Sequence, residues 1–414
     1  MKSDRITMKK LYLFLISLTI ICSSSFCKII NPEKKDKSIY KILGIALILN
    51  SNNSIPFNST ATRVYGQKGS FISNSPNNDG ISANSLSIPS SVVLDSKGGL
   101  YISDYFNNRV LYYPSGNTTA TRVYGQSGSF TSNTANNGGI TAGSLKLPSG
   151  LALDINDGLY IADYGNHRVL YYPSGNSNAT RVYGQNGSFT SNTANNAGIS
   201  ANSLSSPISI ALDSNGGLYI ADLGNERILY YSSATTTATK VYGQNGNFSS
   251  NHNFYDGIEG YEIGFSPIGV EVDSNMNFYV MDLSNTRVLF YPANSTVPTR
   301  VYGQNGSFSS NASSVNNGGI SADSLNYPRE GIKLDSSGGL YISDTDNNRA
   351  LYYPSGRTTA TRVYGQKGNF TTNDKNHGDT FSAATSLRYP RGIAIDSTNR
   401  IYIVDGLNNR VLYY

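Results

Sequence analysis

An all-β fold built from six repeated units is predicted by three observations. The first is composition. The 414 residues include 41 Gly, 31 Tyr and 15 Phe, no Trp, and only 14% charged residues. Ser, Thr and Asn fill the polar positions, which excludes long charged helices and coiled coils and favours short strands joined by turns. The second is the segment RVLYY at 109–113, 168–172 and 410–414, with variants RILYY at 227–231, RVLFY at 287–291 and RALYY at 349–353. The last residues of these segments lie 59, 59, 60, 62 and 61 positions apart. The third is VYGQ, at 64–67, 123–126, 182–185, 241–244, 301–304 and 363–366. Self-similarity at a fixed period of this length marks a repeat architecture.

One unit, read from Pro148, predicts four strands. SGLALD (149–154) is the first, and INDG (155–158) is a tight turn. LYIAD (159–163) is the second strand, YGNH (164–167) a loop and RVLYY (168–172) the third strand. PSGNSNA (173–179) is rich in turn residues, and TRVYG (180–184) is the fourth strand. Connections this short join antiparallel neighbours. Four short strands per unit fit a six-bladed β-propeller better than a sandwich or a stacked solenoid. The chain ends on a third strand, and the strand missing from that last unit stands at the start, in ATRVYG (61–66). Pairing the two closes the ring and leaves no open sheet edge.

The pattern Pro-x-Gly-[Ile/Leu/Val]-Ala-[Ile/Leu]-Asp, Leu-Tyr-Ile-[Ala/Ser]-Asp, Asn-x-Arg-Val-Leu-Tyr-Tyr resembles the NHL repeat, most fully at 148–172 and 390–414. The resemblance extends over residues 61–414 and implies a propeller, commonly six-bladed. The units here are longer than the usual NHL repeat because a connection of 21 to 23 residues follows each VYGQ, at 68–88, 127–147, 186–206, 245–266, 305–327 and 367–389. NHL relatives include a lyase that holds a metal with histidines in its channel, and proteins that bind RNA through a basic face.

Residues that recur in every unit read as scaffold. Asp163, Asn166 and Arg168, and their counterparts Asp405, Asn408 and Arg410, fit an Asp–Asn turn tied by a charge-assisted arginine hydrogen bond. The glutamines of VYGQ belong with them. GQKGS (66–70) has the glycines of a phosphate loop but neither the full spacing nor a following helix. Asp344-Thr-Asp346-Asn-Asn348 begins like a calcium loop and lacks the later bidentate Glu, so a turn is expected.

Residues that break the repeat are the candidate ligand contacts. Antiparallel order puts the long connections and the Asp–Asn loops on one face, the expected binding face; the alternative is that the connections only cover blade seams. Their apolar residues, such as Phe130, Ile140 and Leu145, predict that they are ordered. The positions after the motif Asp vary, giving Tyr105 and Tyr164, as do those after the unit-opening prolines, giving Arg329, Glu330 and Arg391. Connection 245–266 departs most and supplies His252, Tyr255, Asp256, Glu259 and Tyr261. The three histidines, His167, His252 and His377, fall in separate loops without ligand spacing, so no catalytic residue, metal or cofactor is expected.

Charge separates the chain into two parts. Residues 1–60 hold 9 Lys and Arg against 3 Asp and Glu, whereas residues 61–414 hold 23 against 24. The neutral repeat region argues against nucleic acid. Lys9, Lys10 and the apolar run 11–21 read as a secretion signal within 1–27, followed by a linker or docked segment at 28–60. Segment 39–49 is too short to span a membrane. Cys22 and Cys27 are the only cysteines and are candidate lipid-attachment sites, although Ile21 and Phe26 precede them where a small residue is usual. Free secretion, lipidation and an uncleaved anchor remain the alternatives. The expectation is a monomeric, extracytoplasmic, non-enzymatic module for a protein, peptide or glycan, with a channel-mouth hydrolase or lyase as the alternative.

Overall fold

Strands such as Leu159–Asp163 are buried at every residue, on both faces, which explains why LYIAD is apolar without strict alternation. Each sheet packs face to face between two neighbours, so its middle strands are buried almost throughout, the fourth residue of the third strand excepted. The computed structural model describes residues 59–251, 266–295, 297–309 and 316–414. Cys22, Cys27, segment 39–49 and residues 252–265 lie outside them, and with those His252, Tyr255, Asp256, Glu259 and Tyr261. Within Phe57–Tyr414 the strands form six antiparallel four-stranded sheets.

In chain order the blades are I (Val92–Tyr124), II (Pro148–Gly184), III (Pro207–Tyr242), IV (Pro267–Tyr302), V (Ile332–Tyr364) and VI. Blade VI combines Pro390–Ile395, Ile401–Asp405 and Arg410–Tyr413 with the N-terminal strand Arg63–Gly66. The register is Arg63 opposite Tyr413, Val64 opposite Leu412, Tyr65 opposite Val411 and Gly66 opposite Arg410. Ring closure by the first strand is therefore present as the termini predict. In blade II the strands are Pro148–Leu153, Leu159–Asp163, Arg168–Tyr172 and Arg181–Gly184.

The abundance of tyrosine is explained at the seams. The fourth-strand tyrosine of one blade meets the third-strand tyrosine of the next edge-on. The pairs are Tyr65–Tyr113, Tyr124–Tyr172, Tyr183–Tyr231, Tyr302–Tyr353 and Tyr364–Tyr414, with ring centroids 5.1 to 5.4 Å apart. Between blades III and IV, Tyr242 meets Phe278 instead, at 4.7 Å. Edge-to-face geometry places the positive ring edge against the negative face and adds about 0.5–1.5 kcal/mol per pair to the burial of area. The glycine of VYGQ is required. At Gly125, φ is +98° and a Cβ would lie 2.8 Å from the Asn108 carbonyl oxygen and 2.9 Å from Leu145.

Candidate functional site: the channel mouth of blades V, VI and I

The recurrent motif is a buried clamp. In blade II the Asp163 Oδ2 accepts from Arg168 Nε and from Asn166 Nδ2, both at 2.8 Å, and Oδ1 accepts from the Lys146 backbone N–H at 2.8 Å. The Arg168 guanidinium also donates to the Phe189 carbonyl at 2.5 Å, to Thr141 at 2.9 Å and to Ser144 at 3.0 Å. Thr141 and Ser144 lie in the connection entering the blade, and Phe189 in the one leaving it. Asn166 exchanges hydrogen bonds with Asn136 of the entering connection, at 2.9 and 2.7 Å. Blade VI repeats the arrangement, with Arg410 on Asp405 and Asn408 on both Asp405 and Asn376. The described parts of the long connections are thus held on the face of the Asp–Asn loops and bound across the seams.

Other recurrent groups are used in the same way. Gln126 donates to the carbonyls of Asn108 and Thr134, each at 2.9 Å. His167 occupies the left-handed position that is Asn in blades I, V and VI. Its Nδ1 accepts from the Ser206 N–H at 3.0 Å, as Asn108 Oδ1 accepts from Leu147 at 2.8 Å. Burial lowers the His167 pKa and favours the neutral ring that can accept. Within the calcium-like run, Asp344 pairs with Arg349 at 2.6 Å and Thr345 donates to the Pro390 carbonyl, so the segment is the blade V copy of the turn. Lys68 of GQKGS forms an exposed pair with Asp79 at 3.1 Å.

The mouth on this face is asymmetric. In blades II to IV, Tyr164, Leu223 and Leu283 pack against the cluster containing Ile208 and Ile268. Ser90 and Ser149 are fully buried, and Ser149 hydrogen-bonds the Ile208 carbonyl at 2.9 Å. These serines lace neighbouring inner strands together. In blades V and VI charged groups replace them. Arg391 Nη1 lies 3.6 Å from Glu330 Oε1. The guanidinium groups of Arg329 and Arg391 sit 5.4 and 5.6 Å from the Tyr389 ring centre. Arg391 also lies 5.8 Å from Tyr105, which is 6.2 Å from Tyr164 and 5.4 Å from Phe106. Tyr105, Arg329, Glu330 and Arg391 are therefore brought into one arc across blades V, VI and I, and Tyr164 of blade II borders it through Tyr105.

Glu330 is an inserted residue. Blade V has one residue more between its opening Pro328 and Asp335 than blade II has between Pro148 and Asp154. The extra residue forms a tight turn in which the Gly331 N–H donates to the Arg329 carbonyl and Glu330 takes φ +54°. A left-handed conformation costs a non-glycine residue about 1 kcal/mol or more, a cost often found at functional sites. The carboxyl group is only 7% exposed. Burial pushes its pKa up, and Arg391 and Arg329 oppose that shift. Glu330 Oε2, Arg329 Nε, Arg391 Nε and Asp346 Oδ1 are all buried without a hydrogen-bond partner.

Below the mouth lies a channel cavity of about 240 Å³, lined by the inner strands of all six blades and by Glu330. It also holds Lys333 Nζ, 2.7 Å from Glu271 Oε1. Sequence reading missed this pair and Tyr389. The signal for the pair is a column comparison: Glu271 and Lys333 stand where Ala152, Ala211 and Ala394 do, all opposite a second-strand tyrosine.

No curated protein matches the sequence. The family model of the NHL repeat matches residues 145–172 and 387–413, within blades II and VI. The chain is a six-bladed β-propeller that carries NHL repeats. Among solved structures, this NHL propeller is similar to an auxiliary nutrient binding protein from Bacteroides ovatus. That match has 15% identity and a TM-score of 0.53 over 86% of this chain and 76% of that one. A structural genomics protein of unknown function from Bacteroides thetaiotaomicron matches at 14% identity and TM-score 0.52, over 86% and 75%. A streptogramin B lyase matches at 12% identity and TM-score 0.46, over 83% and 95%. At these identities the likeness concerns the fold.

Proposed function

We propose that this NHL propeller is an exported, non-enzymatic binding module that holds a protein, peptide or glycan at the channel mouth on its long-connection face. One observation carries the proposal: among the described residues, those that break the repeat at Tyr105, Arg329, Glu330 and Arg391 converge there, and four buried polar atoms of Arg329, Glu330, Asp346 and Arg391 lack partners. Unmatched buried atoms occur elsewhere in the propeller as well, among them the Tyr113 and Tyr172 hydroxyls, but here four of them, on charged side chains, gather at one concave surface, which suits an external partner. The clamp residues fit a scaffold, because every motif arginine is spent on its aspartate and on carbonyls of the chain.

Mouth substitutions should act on binding. Tyr105→Ala and Arg329→Ala are expected to leave the melting temperature within a few degrees of the parent. They should weaken capture of any partner recovered by pull-down about tenfold or more, as central interface contacts do. Capture unaffected by either change would place the binding face elsewhere. Export is checked separately: the mature N-terminus, by mass spectrometry, should fall between residues 21 and 27. A chain retaining its leader would contradict it.

The second reading, a channel lyase or hydrolase, is favoured by the Glu271–Lys333 pair, because a carboxylate and an amine inside a cavity can exchange a proton. Turnover abolished by Lys333→Met, in a protein that still folds, would select it.

A further inference from the structure

We propose that the arc formed by blades V, VI and I is a saccharide site. It would take a neutral pyranose ring against Tyr105, with the ring hydroxyls on Arg329, Glu330, Asp346 and Arg391. The inference rests on the mouth being the binding face and names the ligand class.

Charge balance is the first argument. The two guanidinium groups and two carboxylates sum to zero when ionised. An anion would gain from the arginines what it lost to the carboxylates, and a cation the reverse. Hydrogen-bond chemistry is the second. The unpartnered atoms are two donors, Arg329 Nε and Arg391 Nε, and two acceptors, Glu330 Oε2 and Asp346 Oδ1. A hydroxyl both donates and accepts, so adjacent ring hydroxyls can serve donors and acceptors together once these buried side chains turn toward the ligand. Glu330 is the deciding group. It is inserted, 7% exposed, lines the cavity and keeps one oxygen free.

The aromatic side is the third argument. Tyr105 is half-buried, and Phe106 beside it is 50% exposed, an apolar ring half open to solvent. The C–H face of a pyranose is apolar and flat enough to lie on such a shelf while its hydroxyls reach sideways. A peptide is served less well. Strand addition needs a long sheet edge, and the inner strand of blade V spans only Ile332–Leu334.

The test is calorimetric titration of the full mature chain with glucose, galactose, mannose, N-acetylglucosamine, their β-linked tetrasaccharides and glucuronate. At least one neutral probe should bind saturably at millimolar or lower concentration, more tightly than glucuronate. Phe106→Ala, at an exposed position where folding is not at risk, should weaken that binding about fivefold, and Glu330→Gln and Tyr105→Ala about tenfold or more. Absence of binding by every neutral probe would overturn the saccharide proposal, as would binding indifferent to all three substitutions. A peptide library panned on the same protein separates the two levels. Peptides lost on Tyr105→Ala would keep the mouth as the binding face and remove the saccharide. Saccharides and peptides that both ignore the substitutions would remove both.

Discussion

Arg168→Ala should lower the unfolding free energy by about 3–5 kcal/mol, the usual consequence of removing one member of a buried ion pair. Arg168 and Asp163 have no exposed side-chain surface. The substitution deletes four hydrogen bonds. It leaves the Asp163 carboxyl buried without its cation, and it frees the carbonyls of Thr141, Ser144 and Phe189 that fix two long connections. Arg168→Lys should rescue little, because one ammonium cannot reproduce a planar fork that reaches a carboxylate and carbonyls on both sides. Arg357→Ala, at an exposed position, is the control and should change stability by less than about 0.5 kcal/mol. Chemical denaturation monitored by circular dichroism checks all three. A stably folded Arg168→Ala protein that has lost ligand binding would mean that the repeated motif, rather than the asymmetric mouth, is the site.

Removing residues 1–66 should do more damage than any single substitution. It strips the fourth strand from blade VI, exposes the Arg410–Tyr413 edge and deletes the Tyr65–Tyr113 contact with blade I. An unprotected apolar edge pairs with other molecules, so the shortened chain should elute as aggregate in size-exclusion chromatography. A chain lacking only residues 1–58 should remain unaggregated. If the two shortened chains melt at the same temperature, the pairing of first and last strands contributes nothing to stability.

The fold was legible because the same solution is written six times. The expected strand 149–154 is Pro148–Leu153, and 180–184 is Arg181–Gly184. Turn chemistry and apolar runs set those limits locally. The fate of the connections was less legible. Their apolar residues pointed to packed segments, but not to arginine donors 21 and 27 positions away as what holds the described ones. The candidate site was legible in part. Tyr105 and Arg391 could be named as departures from the repeat, yet they meet only because blade VI abuts blade I across the closed ring. Tyr389 carries no signal because it precedes the unit-opening proline, a variable position that holds Ile88, Leu147, Ser206 and, in blade V, another tyrosine, Tyr327. Glu330 was recognised as unusual by identity. Its burial follows from an inserted residue in a tight turn, a three-dimensional consequence that composition does not carry.

The seam in blade VI also sets the order of events in time. Thr62 and Tyr413, which meet there, are 351 positions apart in the chain. By contrast, Asp163 and Arg168 face each other across a single hairpin. Blades I to V are assembled from such local hairpins and can form as their residues become available. Blade VI must wait for the last strand, because loop closure over so long a separation is slow. Until then Arg63–Gly66 is an apolar strand without a partner, and the molecule is an open arc exposed to capture by another copy. The last kinetic step is therefore unimolecular closure in competition with association, and refolding yield should fall as protein concentration rises even where every blade is already formed.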